Sequence, residues 1–160
     1  MVRWTVAILA PMLFWPGSAT AGWRGAEWGM TPEQVAMTLP EAAQNKGAFS
    51  DRIEGKTIGN VGRYVWDKDV FQSVFYFDAA GLASVALTPS RQSACKSLAT
   101  KLLETHGEPL RVSDQAILKL VIWHDPKAAS RVRLLLMGEG GCTLYYERLS
   151  DYEAVDKRLR

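Results

Sequence analysis

The chain has 160 residues, 48% apolar and 22% charged, enough for one ordinary domain with a real core. Its 19 lysines and arginines against 17 acids give a formal charge of +2, without the basic surplus that nucleic-acid binding needs. Two separated histidines and two distant cysteines provide no zinc-type spacing, so no metal and no cofactor is expected.

Residues 1–21 read as a secretory signal peptide. Arg3 supplies the positive start, an apolar run from Trp4 to Trp15 follows, and Pro16-Gly17 breaks it before Ala19-Thr20-Ala21, an A-x-A cleavage pattern. The run is shorter than the roughly 20 residues of a spanning helix, so no stable membrane insertion is expected after cleavage near Ala21. A single α+β domain over 22–160, periplasmic or secreted, is the expected product. In an oxidising compartment the isolated pair Cys95 and Cys142 predicts a structural disulfide, since no C-x-x-C is present.

Thr31-Pro32-Glu33-Gln34 predicts a helix start. Thr31 is the N-cap, Pro32 takes the first helical position, and Gln34 stands where its side chain can return a bond to the Thr31 N–H. The helix is expected to end near Pro40. Trp28 and Gly29, just before it, predict a docked N-terminal segment with a backbone turn at the glycine.

Residues 41–62 read as a loop with a short strand around 52–58. Strands are then predicted at 63–66, 71–77 and 82–87, the last two joined by the turn Asp78-Ala79-Ala80-Gly81. Phe71, Ser73, Phe75 and Phe77 share one face of their strand, with Val74 and Tyr76 on the other. A second helix, capped by Ser90 or Ser93, carries Cys95, Leu98, Ala99, Leu102 and Leu103 on its apolar side and stops at Gly107. Three further strands are predicted at 116–123, 131–137 and 142–148. The basic end, residues 156–160, reads as a frayed, solvated terminus.

Each half therefore reads as a helix followed by three strands, with Trp66-Asp67 and Trp123-His124-Asp125 in matching places. The expected fold is α+β: tandem helix-plus-three-strand meanders forming one antiparallel sheet, with both helices on one face. The stretch Gly29-Met30-Thr31-Pro32-Glu33-Gln34-Val35 resembles the helix entry of the SmpA/OmlA (BamE-like) outer-membrane assembly lipoproteins. The tandem plan is similar to the β-lactamase-inhibitor-protein fold. No cysteine follows Ala21, so the lipidated cysteine of the SmpA/OmlA proteins has no counterpart.

These resemblances imply a non-enzymatic protein-binding module, acting on an unidentified envelope protein in assembly or in enzyme inhibition. They point to an aromatic sheet surface, for which Trp66, Tyr76, Trp123 and Tyr145 are candidates, rimmed by Arg131 and Arg133. Two alternatives remain open. One is a small-ligand binder with a pocket between helices and sheet, and the other a weak hydrolase centred on His124. Adjacent side chains on a strand point to opposite faces, so His124 and Asp125 do not make half a triad. His106, before Gly107, is expected near the carbonyls ending the second helix.

Overall fold

Tight two-residue turns organise the chain. The computed structural model describes residues 21–45 and 52–158. The expected leader, apart from Ala21, and the last two residues of the basic end lie outside the described residues. Strands β1 (Gly22–Trp23) and β2 (Ala26–Glu27) form a small hairpin across Arg24-Gly25, both at positive φ, which suits the right-handed twist of paired strands. After helix α1 (Pro32–Thr38) and strand β3 (Ala42–Gln44), the turn Glu54-Gly55 repeats that conformation between β4 (Arg52–Ile53) and β5 (Lys56–Trp66). Strands β6 (Asp69–Asp78) and β7 (Gly81–Pro89) continue the meander. Helix α2 (Ala94–His106) follows, then β8 (Arg111–Gln115), β9 (Leu118–Asp125), β10 (Ser130–Met137) and β11 (Cys142–Arg148). A 3₁₀ turn (Leu149–Asp151) and helix α3 (Glu153–Lys157) end the described chain.

The fold is mostly β, which corrects the expected balance of helix and strand. One sheet of nine antiparallel strands has the path β3-β5-β6-β7-β11-β10-β9-β8, with β4 added against β5. Among the described residues the three helices have 7, 13 and 5 residues, so only α2 of these is longer than two turns. The tandem helix-plus-three-strand plan fails because β3, β4 and β8 enlarge the sheet. β4 and the start of β5 fall within the short strand expected around 52–58, but β3 and β8 have no pattern an alternation search finds: Arg111-Val112-Ser113-Asp114-Gln115, for example, is an edge strand wet on both faces.

Registry sorts the side chains cleanly. Phe75, Val85, Tyr146, Val132 and Trp123 form one row across the sheet, and Ser73, Leu87, Leu144, Leu134 and Val121 the next. Both rows face the core, where Val35 of α1 and Leu98 and Leu102 of α2 are almost fully buried. Cys95 and Cys142 are bridged at a Cα separation of 5.7 Å, joining α2 to the first residue of β11. Such a bridge fits a protein outside the reducing cytoplasm. Among the described residues no helix is long and apolar enough to cross a membrane.

At the start of α1, the Gln34 N–H donates to the Thr31 hydroxyl at 3.3 Å and the Thr31 N–H donates to Gln34 Oε1 at 2.8 Å. Thr31→Ala should therefore cost about 1 kcal/mol in urea unfolding, and an unchanged midpoint would show that the box is idle. Gly29 adopts φ +91° and its backbone lies against Gly81, where an added Cβ would come within 2.1 Å of the Gly29 carbonyl oxygen. The contact lets the Gly29 N–H donate to the Leu82 carbonyl and the Leu82 N–H donate to that of Met30. Trp28 docks through its indole N–H to the Ala128 carbonyl at 3.3 Å.

Candidate functional site

The opposite face of the sheet carries a polar row of Tyr76, Ser84, Glu147, Arg131 and His124. Beside it runs a second row, in which Tyr145 and Arg133 lie between Ala86 and Ile122. Alternation along β10 and β11 places these groups: Val132 and Tyr146 turn to the core, so Arg131, Arg133, Tyr145 and Glu147 must turn away. Glu147 is 1% exposed and receives Arg131 Nη1 at 2.6 Å and Arg133 Nη2 at 2.5 Å. The Arg133 guanidinium lies 4.2 Å from the centre of the Tyr145 ring.

The C-terminal segment closes over this cluster. Asp156, also buried, accepts Arg131 Nε at 2.9 Å and Nη2 at 3.3 Å, and its Oδ2 lies 2.7 Å from His124 Nε2. The Tyr152 ring stacks on the Arg131 guanidinium at 4.4 Å, while its hydroxyl accepts from Lys56 Nζ and donates to Glu54. The reading of 156–160 as a solvated end is thus corrected at Asp156. One helical turn of α3 is enough to carry that carboxylate back onto the sheet.

Of the proposed partner surface, the structure brings Arg131, Arg133 and Tyr145 together, sets Tyr76 two strands away in the same polar row, and places Trp66 and Trp123 elsewhere. Trp123 is buried in the core, its indole N–H donating to the Gly107 carbonyl at 2.9 Å. Tyr76 is buried within the polar row. Trp66 packs partly buried against the core, with Lys101 Nζ 5.4 Å from its ring. Glu147, Tyr152 and Asp156 escaped the sequence reading. Charged residues at alternate positions on neighbouring strands, Arg131 and Arg133 against Glu147, were the available signal of a cross-strand cluster.

His124 meets Asp156, not its neighbour. Asp125 instead accepts the N–H groups of Lys127 and Ala128 in the following turn. A hydrolase would also need a nucleophile beside the imidazole, and among the described residues the side-chain hydrogen-bond partner of His124 is Asp156. His106 packs against Trp123 at 6.4 Å between ring centres; burial lowers its pKa, partly countered by Asp125 at 4.0 Å. Among the described residues no group of three or more His, Cys, Asp or Glu could hold a metal ion.

Burial acts to raise the Asp156 carboxyl, but the bonds from His124 and Arg131 and their charge outweigh it and hold the pKa below the ordinary aspartate value. A depressed folded-state pKa means stability fully present above the unfolded aspartate pKa of about 3.9 and lost as pH falls below it. Asp156→Asn should accordingly flatten the acid limb of a stability–pH profile measured by urea unfolding. An unchanged slope below about pH 4 would remove Asp156 from the acid response.

A second feature lies at the far end of α2. An open apolar cavity of about 630 Å³ is lined by Cys95, Ala99, Leu136 and Met137, with Lys96 and Gln92. A neighbouring hollow of about 760 Å³ shares Met137, Gly141 and Gln92 and extends to Ile117. Ile117 is 80% exposed and Met137 46% exposed, unusual for large apolar side chains in two adjacent hairpin tips. A third hollow carries the surface onward to Asp114 and Gln115 of β8, which ends the sheet with no strand on its outer side among the described residues.

No protein-family model and no curated protein matches the chain. Among solved structures it is similar to a DUF4309 family protein (YjgB) from Bacillus subtilis. The identity is 10% and the TM-score 0.43, over 74% of this chain and 78% of that one.

Proposed function

We propose that this protein is an exported, non-enzymatic binding module that takes an extended apolar segment of an envelope protein beside α2. The observation that carries the reading is the open apolar groove, continuous from Cys95 and Met137 past Ile117 to the edge of β8 that no strand covers among the described residues. Sites for small ligands enclose most of the molecule they hold, whereas this groove stays open along its length. An added strand could pair with β8 through its main chain while alternate apolar side chains enter the groove. Export is supported by the leader-like residues 1–21 and by the disulfide. The likeness of the Gly29–Val35 sequence to SmpA/OmlA proteins supports an envelope setting.

A photo-crosslinking amino acid placed at Ile117 in the exported protein tests this. One discrete protein adduct is expected, lost when Met137→Asp puts a charge in the groove without changing thermal stability. Saturable uptake of a small apolar dye with no protein adduct would favour the small-ligand alternative. Neither adduct nor uptake would sink both.

A further inference from the structure

Of the two buried carboxylates in the polar cluster, Glu147 belongs to the sheet and Asp156 arrives with the C-terminal segment. On the sheet, Arg131 and Arg133 share the single carboxylate of Glu147, and His124 stands beside them. Asp156 supplies the second anion, meeting the Nε–Nη2 edge of Arg131 and the His124 Nε2 together. A guanidinium edge and an imidazole nitrogen converging on one carboxylate is a recognition geometry, not merely a neutralising charge.

What holds the segment there is nearly all polar. Helix α3 has five residues, too few to persist without its contacts. Its apolar residue Val155 is 54% exposed, and Glu153, Ala154 and Lys157 are exposed as well. Among the described residues after Arg148, Leu149 is the one buried apolar side chain, at the segment's very start. Beyond Leu149 the attachments among the described residues are the Arg148–Asp151 ion pair, the Tyr152 contacts with Arg131, Lys56 and Glu54, and the Asp156 carboxylate. Ionic and aromatic contacts of this kind can be replaced by a competitor carrying the same groups.

We propose that Arg131 and His124 form a carboxylate-binding site, filled by Asp156 when this C-terminal strap is closed and by an acidic side chain of a partner protein when it lifts. The matching ligand places an aspartate or glutamate four residues after an aromatic residue, as Tyr152 precedes Asp156, because the aromatic ring covers the same Arg131. The site lies on the sheet face away from α2, so it is independent of the apolar groove. The strap, tethered at Leu149, competes at the high effective concentration of an intramolecular group and sets how strong a partner must be.

The probe is a fluorescent peptide of residues 149–158 added to the full chain, with binding read by anisotropy. Asp156→Ala, which vacates the site, is expected to bind it at least about tenfold more tightly than the wild type. The same peptide carrying Asp156→Asn should lose that binding, as should Asp156→Ala combined with Arg131→Lys, which keeps the charge but not the fork. Asp156→Asn in the full chain provides an isosteric second host. Hydrogen exchange on the wild type needs no variant: the Val155, Asp156 and Arg158 amides should exchange at least about a hundredfold faster than those of Val132 and Leu134. Equal exchange in strap and strands, no gain on vacating the site, or binding indifferent to Arg131→Lys would each show a permanent clasp and overturn the proposal.

Discussion

Exchanging Glu147 for glutamine should lower the unfolding free energy by about 3–5 kcal/mol, the usual cost of removing one partner from a buried ion pair. Its carboxylate is 1% exposed and holds two guanidinium groups, Arg131 and Arg133. Without it both arginines stay desolvated, and Asp156 reaches only Arg131. The penalty comes from the stranded charges rather than from the bonds lost. By contrast, the exposed pair of Lys119 and Asp114, 3.2 Å apart, should yield less than about 1 kcal/mol when broken. Urea unfolding of the two variants side by side measures the difference. A Glu147→Gln cost as small as that of the surface pair would mean that water reaches the cluster.

Converting Cys95 and Cys142 together to alanine should remove up to about 4 kcal/mol, the chain-entropy expectation for a loop of this size. The bridge spans 47 positions of sequence, and both cysteines are buried where α2 meets β11. Its loss frees the open chain more than it disturbs the folded one, so most of the effect should survive the small side chains left behind. Denaturant unfolding of oxidised wild type against the double variant tests this. A difference under about 1 kcal/mol would show that the unfolded chain already holds those segments together.

How much of this could be read in advance depended on whether each signal was local. Thr31, Pro32 and Gln34 declare a helix start within four residues, and the structure shows both bonds of the box. The alternation of Phe71, Phe75 and Phe77 against Val74 and Tyr76 is written within one strand. A bulge between Tyr76 and Phe77 adds the detail that both neighbours are buried. What escaped needed the third dimension. β8 has no apolar side because it lies at an edge, and the short β3 is held by β5 rather than by its own pattern. Asp156 looks like part of a charged tail until α3 turns it onto Arg131. Arg131, Arg133 and Tyr145 were recognisable as unusual on a strand, but their carboxylate partners come from β11 and from the end of the chain. Trp123 faces inward by strand alternation, in one row with Val132, and its indole N–H there donates to the carbonyl of Gly107.

The seam between β7 and β11 carries one last consequence, for the order in which the molecule is completed. Leu87 pairs with Leu144 and Ser84 with Glu147, so the middle of the sheet joins segments distant in sequence. A chain emerging N-terminus first can form the β5–β7 meander early, yet one edge of β7 then waits, unpaired, for β11, the last strand among the described residues. Such an edge invites pairing with other chains. Closing the seam late makes folding slow relative to local hairpin formation. Cys142, the first residue of β11, is also the thiol that Cys95 captures, so oxidation delivers the missing strand to the gap and shortens that vulnerable interval.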